Sequence, residues 1–476
     1  MRRLFRSATI NTWISILVRM GGMMLLLPLV LRHLELQQVL VWQLLASITA
    51  MLAWIDFGIT PTFSRFIAVA RGGGRLSDLA TAHGRLALPP ERADQPLRLT
   101  DVARTAGRIY AVMALLGTCV VVGIGTLAVA GPISGLPDPA QGWMAWGMVA
   151  LSVPFALMNS SNASVLIGCD RIAELRRVDI LIGFCQLLTT SVTVVLTSDL
   201  GWIAATYYAW FIIQFWINLW MRHRTLAAEA PEADSRFDPD LFRAAWAAGW
   251  RSGVGVMFST GIIQGSGMVV PQIAPAEIAA PYLIVLRLMT IASQLSQAPF
   301  YSRLPAMVKA RAEGHEGEVV QLAARGLKLS LWTMLIGVAA IIFVAPPLLD
   351  WIGGSVRLPV SGLSVLLGLA FFAERYGAMH MQLYTLSNHV IWHRVNGLTG
   401  VVMLVSFPLL WSVAGTAALP LAMLAGYGLY LCPTISRRAL AFLGQKRWEF
   451  EKRTALLPTL GLLACVMFFA LRYALA

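Results

Sequence analysis

Thirteen apolar runs, most of them about 20 residues long or longer, leave this chain little choice of fold. They fall near residues 8–31, 39–70, 106–131, 143–168, 178–198, 201–221, 246–271, 280–305, 327–349, 359–384, 394–413, 415–435 and 454–474. About 20 apolar residues suffice to cross a bilayer as a helix. In lipid every backbone N–H and C=O must find its partner inside the protein, so isolated runs of this length read as helices. Only 13% of the residues are charged, against about 25% in soluble domains, which sets a soluble reading aside. The expected fold class is an all-α polytopic membrane protein with about 12–13 transmembrane helices.

A net charge of +13 would suit a nucleic-acid partner if the basic residues shared one folded surface, but they sit in short connectors. With a cytoplasmic N-terminus, 30 of the 37 Lys and Arg fall on the cytoplasmic side. Arg32, Arg357 and Arg472 fall outside, and Arg19, Arg65, Arg287 and Arg375 fall within spans. That asymmetry follows the positive-inside rule, so the charge reports orientation and no nucleic acid is expected. The start, with Arg2, Arg3 and Arg6, reads as the cytoplasmic lead of a retained first helix. The apolar run behind it is too long for an export signal, contains Arg19 and has no small-residue cleavage site. The two longest connectors, 71–105 and 222–245, are both cytoplasmic, and the second divides two sets of six helices. The expected organisation is an N-terminal lobe over 1–225, a cytoplasmic linker over 226–245, a C-terminal lobe over 246–445, and an additional helix over 446–476.

Within the second run, Asp56-Phe-Gly-Ile-Thr-Pro61-Thr-Phe63-Ser64-Arg65-Phe66 carries a carboxylate, a proline and a guanidinium. Pro299-Phe-Tyr301-Ser302-Arg303 repeats the order proline, any residue, aromatic, serine, arginine, 238 residues later and half the chain length away. A charged, proline-marked segment repeated at that interval predicts two related bundles that face a polar interior. A charge at mid-membrane costs about 2.5–3.5 kcal/mol on insertion scales, so it normally faces protein or a water-filled cavity. Arg65 and Arg303 lie near enough to the cytoplasmic ends of their helices to reach headgroups. Arg19 and Arg287 do not. Together with Arg375 on the tenth helix, these five arginines form the expected cationic site. Guanidinium holds phosphate oxygens in pairs and stays charged at any working pH, so the ligand class is an anion that crosses the bilayer. Asp56 and Glu374 either pair with these arginines or bind a coupling proton or sodium ion. Glu374 reads as a pairing residue, although neighbours in sequence do not face each other on a helix. Tyr207, Tyr208 and Trp210 could stack on sugar rings; the other tryptophans near helix ends read as interfacial anchors.

The chain lacks a phosphate-binding G-x-x-x-x-G-K-[ST] loop, an H-E-x-x-H helix and a G-x-S-x-G elbow. Its five cysteines lack metal-ligand spacing. ATP hydrolysis, enzymatic catalysis and a bound metal or other cofactor are therefore not expected.

Asp56-Phe57-Gly58-Ile59, the Arg65-Phe66 pair and the basic connector that follows are similar to the corresponding part of the polysaccharide-transporter branch of the MOP superfamily, which includes Wzx-type flippases. The resemblance is most specific over residues 1–72. Glu35-Leu-Gln-Gln-Val-Leu-Val-Trp42 departs from the Gly-x-x-x-Tyr-Gly that often precedes helix two in that branch. It implies two six-helix lobes around a V-shaped cavity with alternating access, lined by helices one, two, seven and eight. It also implies a bacterial inner-membrane flippase whose substrate is an undecaprenyl-diphosphate-linked oligosaccharide repeat unit for exopolysaccharide, capsule or O-antigen. A polysaccharide polymerase and chain-length or export machinery would be its partners, besides the lipid bilayer. Two alternatives stand beside it: a cation-coupled multidrug exporter of the same superfamily, in which acidic cavity residues would dominate, and a membrane-embedded polymerase or ligase of polyprenyl-linked glycans, which would need an outer-face nucleophile or carboxylate pair.

Overall fold

The computed structural model describes residues 8–56, 59–79, 95–230, 236–353, 356, 358, 362–387 and 391–475. Phe57-Gly58, the basic start, much of the connector 71–105 and residues 231–235 of the expected linker lie outside them. The described residues are almost wholly helical, and every one of the thirteen apolar runs contains helix. They form two compact units, Met1–Met268 and Val269–Ala476.

The first unit holds α1 (Ala8–His33), α2 (Leu36–Ala50), α3 (Leu52–Ile55), α4 (Ile59–Arg71), α5 (Leu99–Ser134), α6 (Pro139–Gly168), α7 (Ile172–Thr197), α8 (Leu200–Glu229) and most of α9 (Pro239–Ile273). The contacts at the helix ends show two poles. At one pole Gln37 donates to Pro132 O (3.0 Å) and Gln38 to Gln141 Oε1 (3.2 Å). At the other, Arg71 pairs with Glu229 (2.9 Å), and Arg236 N donates to Asp101 (2.6 Å). The second pole gathers Arg71, Arg104, Arg108, Arg171, Arg176, Arg224 and Arg243, whereas the first has Arg32. The sidedness read from the charges is thus built into the packing of this unit.

Its basic pole is closed by a core of α4, α5, α6 and the start of α9, with Phe63, Phe66, Ile67, Val102, Ala106, Val165 and Leu241 all buried. Gly168 lets α6 approach α4. A Cβ there would stand 2.5 Å from Ile67 Cγ2 and 2.7 Å from the backbone oxygen of Ser64. Backbone cannot rotate out of the way, so we expect Gly168→Ala to lower stability in detergent by about 1–3 kcal/mol in a thermal-unfolding measurement.

The second unit contains the end of α9, then α10 (Ala276–Tyr301), α11 (Leu304–Ala312), α12 (Glu316–Ala339), α13 (Ala345–Ile352), α14 (Gly362–Thr385), α15 (Trp392–Ala414), α16 (Ala418–Ala425), α17 (Cys432–Phe442), α18 (Arg447–Thr454) and α19 (Leu456–Leu475). Wide π-helical turns join α12 to α13 at Ala340–Val344 and α16 to α17 at Gly426–Leu431. Each precedes prolines, Pro346-Pro347 and Pro433. Proline lacks an N–H and clashes with the carbonyl four residues back, and an enlarged turn relieves both problems.

By length and hydropathy, seven helical segments among the described residues can each cross a bilayer, or eight if the bent pair α18–α19 is one span. The count is below thirteen for local reasons. Trp392–Phe442 is a near-continuous helical stretch of 51 residues, far beyond the roughly 20 a bilayer requires. It reverses at Gly415, whose φ of +51° few other residues adopt. Gly426 consequently meets Met403 and Thr399 on the returning pass. The second expected helix is broken into α2, α3 and α4, while α14 runs unbroken through Glu374-Arg375, whose charges lower its hydropathy.

Candidate functional site

The polar positions in each unit follow from how the helices are cut. In the first unit the second span stops at Ala50, makes one short turn, α3, and restarts at Ile59. Asp56 sits at that break and caps the restarting helix. Its backbone oxygen accepts from Ile59 N (2.8 Å), and its carboxylate from Thr60 N (3.4 Å). A carboxylate at a helix N-terminus also meets the favourable end of the helix dipole. Pro61 falls in the first turn of α4, where its missing N–H removes no internal bond, so the break precedes the proline.

A second helix completes the site. Tyr110 of α5, 1% exposed, donates from its hydroxyl to Asp56 Oδ1 at 2.7 Å. Thr60 Oγ1 donates to the same oxygen at 2.5 Å, and the two hydroxyl oxygens are 2.6 Å apart. Three oxygens therefore form a triangle with three short contacts. When Asp56 is ionised only two hydrogens, one from each hydroxyl, are available to fill them. A third hydrogen would fill the remaining side. The separations are hydrogen-bond spacings.

A second carboxylate of the same unit was not singled out from the sequence. Asp179, 4% exposed on α7, accepts from Arg176 Nη1 (2.8 Å) and from Gln214 Nε2 of α8 (2.7 Å). It opens onto a cavity of about 230 Å³ between α1, α7 and α8, which Gln186, Tyr207 and Trp210 also line. Tyr207 and Trp210 thus reach a cavity, while Tyr208 is buried in packing against Phe211. Asp179, Ile182 and Gln186 share a helical face, and that spacing is the signal the sequence offered.

The second unit places Glu374 and Arg375 together although they are sequence neighbours. Arg375, 4% exposed, has Nη2 3.4 Å from Glu374 Oε2 and donates to Ser293 Oγ of α10. Ser293 in turn lies 3.3 Å from Glu374. The serine on a facing helix is what lets both side chains converge. Arg375 Nε is buried and finds no acceptor, and the buried hydroxyl of Tyr427, within electrostatic reach of both charges, also lacks a partner. Donors therefore outnumber acceptors around this pair.

The other expected cations are more scattered. Arg287 is half-buried midway along α10 and engaged there. Arg303 follows the end of α10 and donates to Pro299 O, so the second copy of the repeated pattern ends a helix. Arg65 is exposed on α4, with the first copy of the pattern inside that helix. Arg19 lies on α1, and its side chain is outside the described residues. Arg222, counted from the sequence as a connector residue, points inward from α8 to Ala103 O (2.9 Å), Ser161 (3.3 Å) and Asn162 (3.3 Å). Among the described residues no three or more His, Cys, Asp and Glu side chains are grouped so as to hold a metal ion.

No protein-family model matches the sequence. No curated protein matches it either. Solved structures do. The chain is similar, at 10% identity and a TM-score of 0.67, to a multidrug-resistance MATE family transporter of the MOP superfamily in its inward-facing conformation, over 94% of this chain and 99% of that one. The chain has the MOP-type fold. The lipid II flippase MurJ in an inward closed conformation is similar over 98% of both chains, at 10% identity and a TM-score of 0.56. A Vibrio cholerae MATE transporter is similar over 93% of this chain and 98% of its own, at 14% identity and a TM-score of 0.56. An all-helical, multi-pass membrane protein with this fold thus shares its architecture with drug transporters and with a lipid flippase.

Proposed function

We propose that the chain is a transporter of the flippase kind, which moves a polyprenyl-diphosphate-linked oligosaccharide repeat unit from the cytoplasmic to the external leaflet of a bacterial inner membrane. The observation that carries this reading is Arg375, a guanidinium 4% exposed inside a membrane helix, with a donor left over after its contacts to Glu374 and Ser293. Such a group suits a diphosphate, and Arg19 and Arg287 supply further positive charge on other helices. Arg65, exposed on α4, and Arg303, just past the end of α10, would meet the substrate at entry. The aromatic wall of Tyr207 and Trp210 is suited to a sugar ring. Coupling is assigned to a proton at Asp56, because the Asp56–Thr60–Tyr110 triangle accommodates one more hydrogen than its ionised form owns.

A strain depleted of the protein provides the test, read out with an impermeant glycan-modifying enzyme on spheroplasts. Complete single repeat units should accumulate, inaccessible from outside, and Arg19→Ala or Arg287→Ala at normal protein levels should reproduce the effect. Accessible units would show flipping intact and favour a polymerase or ligase. One observation favours a second reading: a largely apolar cavity with a single carboxylate, Asp179, at its wall suits a cationic amphiphile, as in a cation-coupled exporter. Unchanged lipid-linked glycans together with lost efflux of cationic dyes would select it.

A further inference from the structure

The last two helices meet at a sharp angle. α18 and the span Leu456–Leu471 are bent by 58° at Ala455. α19 is seated on α12, where Gly461 lies against Leu335, and it exposes Leu457, Leu460, Leu463, Met467 and Phe468 as a membrane-crossing helix does. A helix bent by 58° from a span that follows the bilayer normal lies closer to the bilayer plane than to that normal.

α18 is two-faced in a way that fits this position. Its inner face is fastened to the second unit. Phe450 and Thr454 are buried, and Glu451 receives a hydrogen bond from the Tyr376 hydroxyl while standing 3.3 Å from His380 Nε2. Tyr376 and His380 are one turn apart on α14, so a single carboxylate ties α18 to that helix. The outer face exposes Trp448, Glu449, Lys452 and Arg453, with Lys446 and Arg447 exposed at the start of the helix and Trp448 69% exposed. Arg437 and Arg438, exposed on α17, add to the same stretch of chain, and Glu449 is the one exposed carboxylate between residues 437 and 453. Lys and Arg beside an exposed tryptophan, on a short helix anchored by a span, are the composition of an interfacial helix on an anionic leaflet.

We propose that α18 is an interfacial helix that binds the headgroups of anionic phospholipids. Its basic face reads the phosphate charge, Trp448 enters the headgroup layer, and Glu451 fixes the height and direction of the helix. The terminal helix is then a working part of the second unit and not an appended anchor. This inference is independent of what the protein carries.

The test uses the full-length protein in lipid nanodiscs and measures retained phosphatidylglycerol and phosphatidylcholine by native mass spectrometry. Wild-type protein should retain phosphatidylglycerol preferentially. A quadruple variant, Lys446→Gln, Arg447→Gln, Lys452→Gln and Arg453→Gln, should lose about tenfold or more of that preference, and salt should weaken the wild-type preference. A control replacing the equally exposed Lys309, Arg325, Lys328 and Arg394 by Gln should keep it. Equal retention of both lipids by wild type, an unchanged quadruple variant, or an equal loss in the control would overturn the proposal. If the quadruple variant is not recovered folded, Trp448→Ala on the same outer face replaces it, with a smaller loss expected and no loss counting against the proposal.

Discussion

Replacing Arg375 by methionine should destabilise the protein by about 3 kcal/mol and, on the proposed function, stop export. Removing one partner of a buried ion pair leaves the other charge uncompensated, which costs about 3–5 kcal/mol in well-buried cases. The lower figure applies because the Glu374 side chain keeps 19% exposure. Stability and function can be separated here. The double variant Glu374→Gln, Arg375→Met removes both charges and should recover most of the stability, since buried pairs are often replaceable by neutral groups. On the proposed reading it should not recover export, because the most deeply buried guanidinium of the diphosphate site is gone. Thermal unfolding in detergent and accumulation of lipid-linked repeat units are the two measurements. Export by the double variant would show that Arg375 serves packing alone.

Asp56→Asn should abolish the dependence of transport on a pH gradient, and Tyr110→Phe should weaken the site without emptying it. Asparagine preserves the shape at the helix break but cannot take up and release a proton. Phenylalanine keeps the buried ring and deletes one hydroxyl, so Asp56 loses one of its two hydroxyl donors. A hydrogen bond to a charged group is worth about 1.5–3 kcal/mol, and a stability loss in that range is expected for Tyr110→Phe. The decisive comparison is transport in vesicles with and without an ionophore that collapses the pH gradient. If Asp56→Asn responds to the ionophore as wild type does, the proton is bound elsewhere.

Hydropathy and charge carried the architecture of this chain well because membrane insertion reads the same properties. The thirteen runs all contain helix, and the basic connectors of the first unit gather at one pole. Helix ends were less legible. α5 begins at Leu99 and α8 continues to Glu229, both beyond their apolar runs, because the extensions are amphipathic and pack one face, such as Val102, Ala103 and Ala106, into a core. The half-length repeat is visible in sequence, but its copies adopt different local structure, one within α4 and one ending α10. Asp56 stood out as a charge in an apolar segment. Tyr110 did not, since a tyrosine at a helix end looks like an interfacial anchor until the register of α5 against α4 is known. Glu374 and Arg375 were separable on a helical wheel, and only Ser293 from a facing helix explains their convergence. Arg222 looked solvated for the opposite reason: its neighbours in sequence are polar, whereas its neighbours in space are carbonyls and hydroxyls of α5 and α6.

The wide turn at Gly426–Leu431 holds one residue more than an α-helical turn, and Tyr427 lies within it. Each residue of an α-helix subtends about 100° around the axis, so that extra residue is a rotation held in reserve. Passing it along the helix would swing the Tyr427 hydroxyl around the barrel of the helix and away from Arg375 while α16 and α17 stay in place. The second unit could in this way uncover a guanidinium by twisting rather than by tilting.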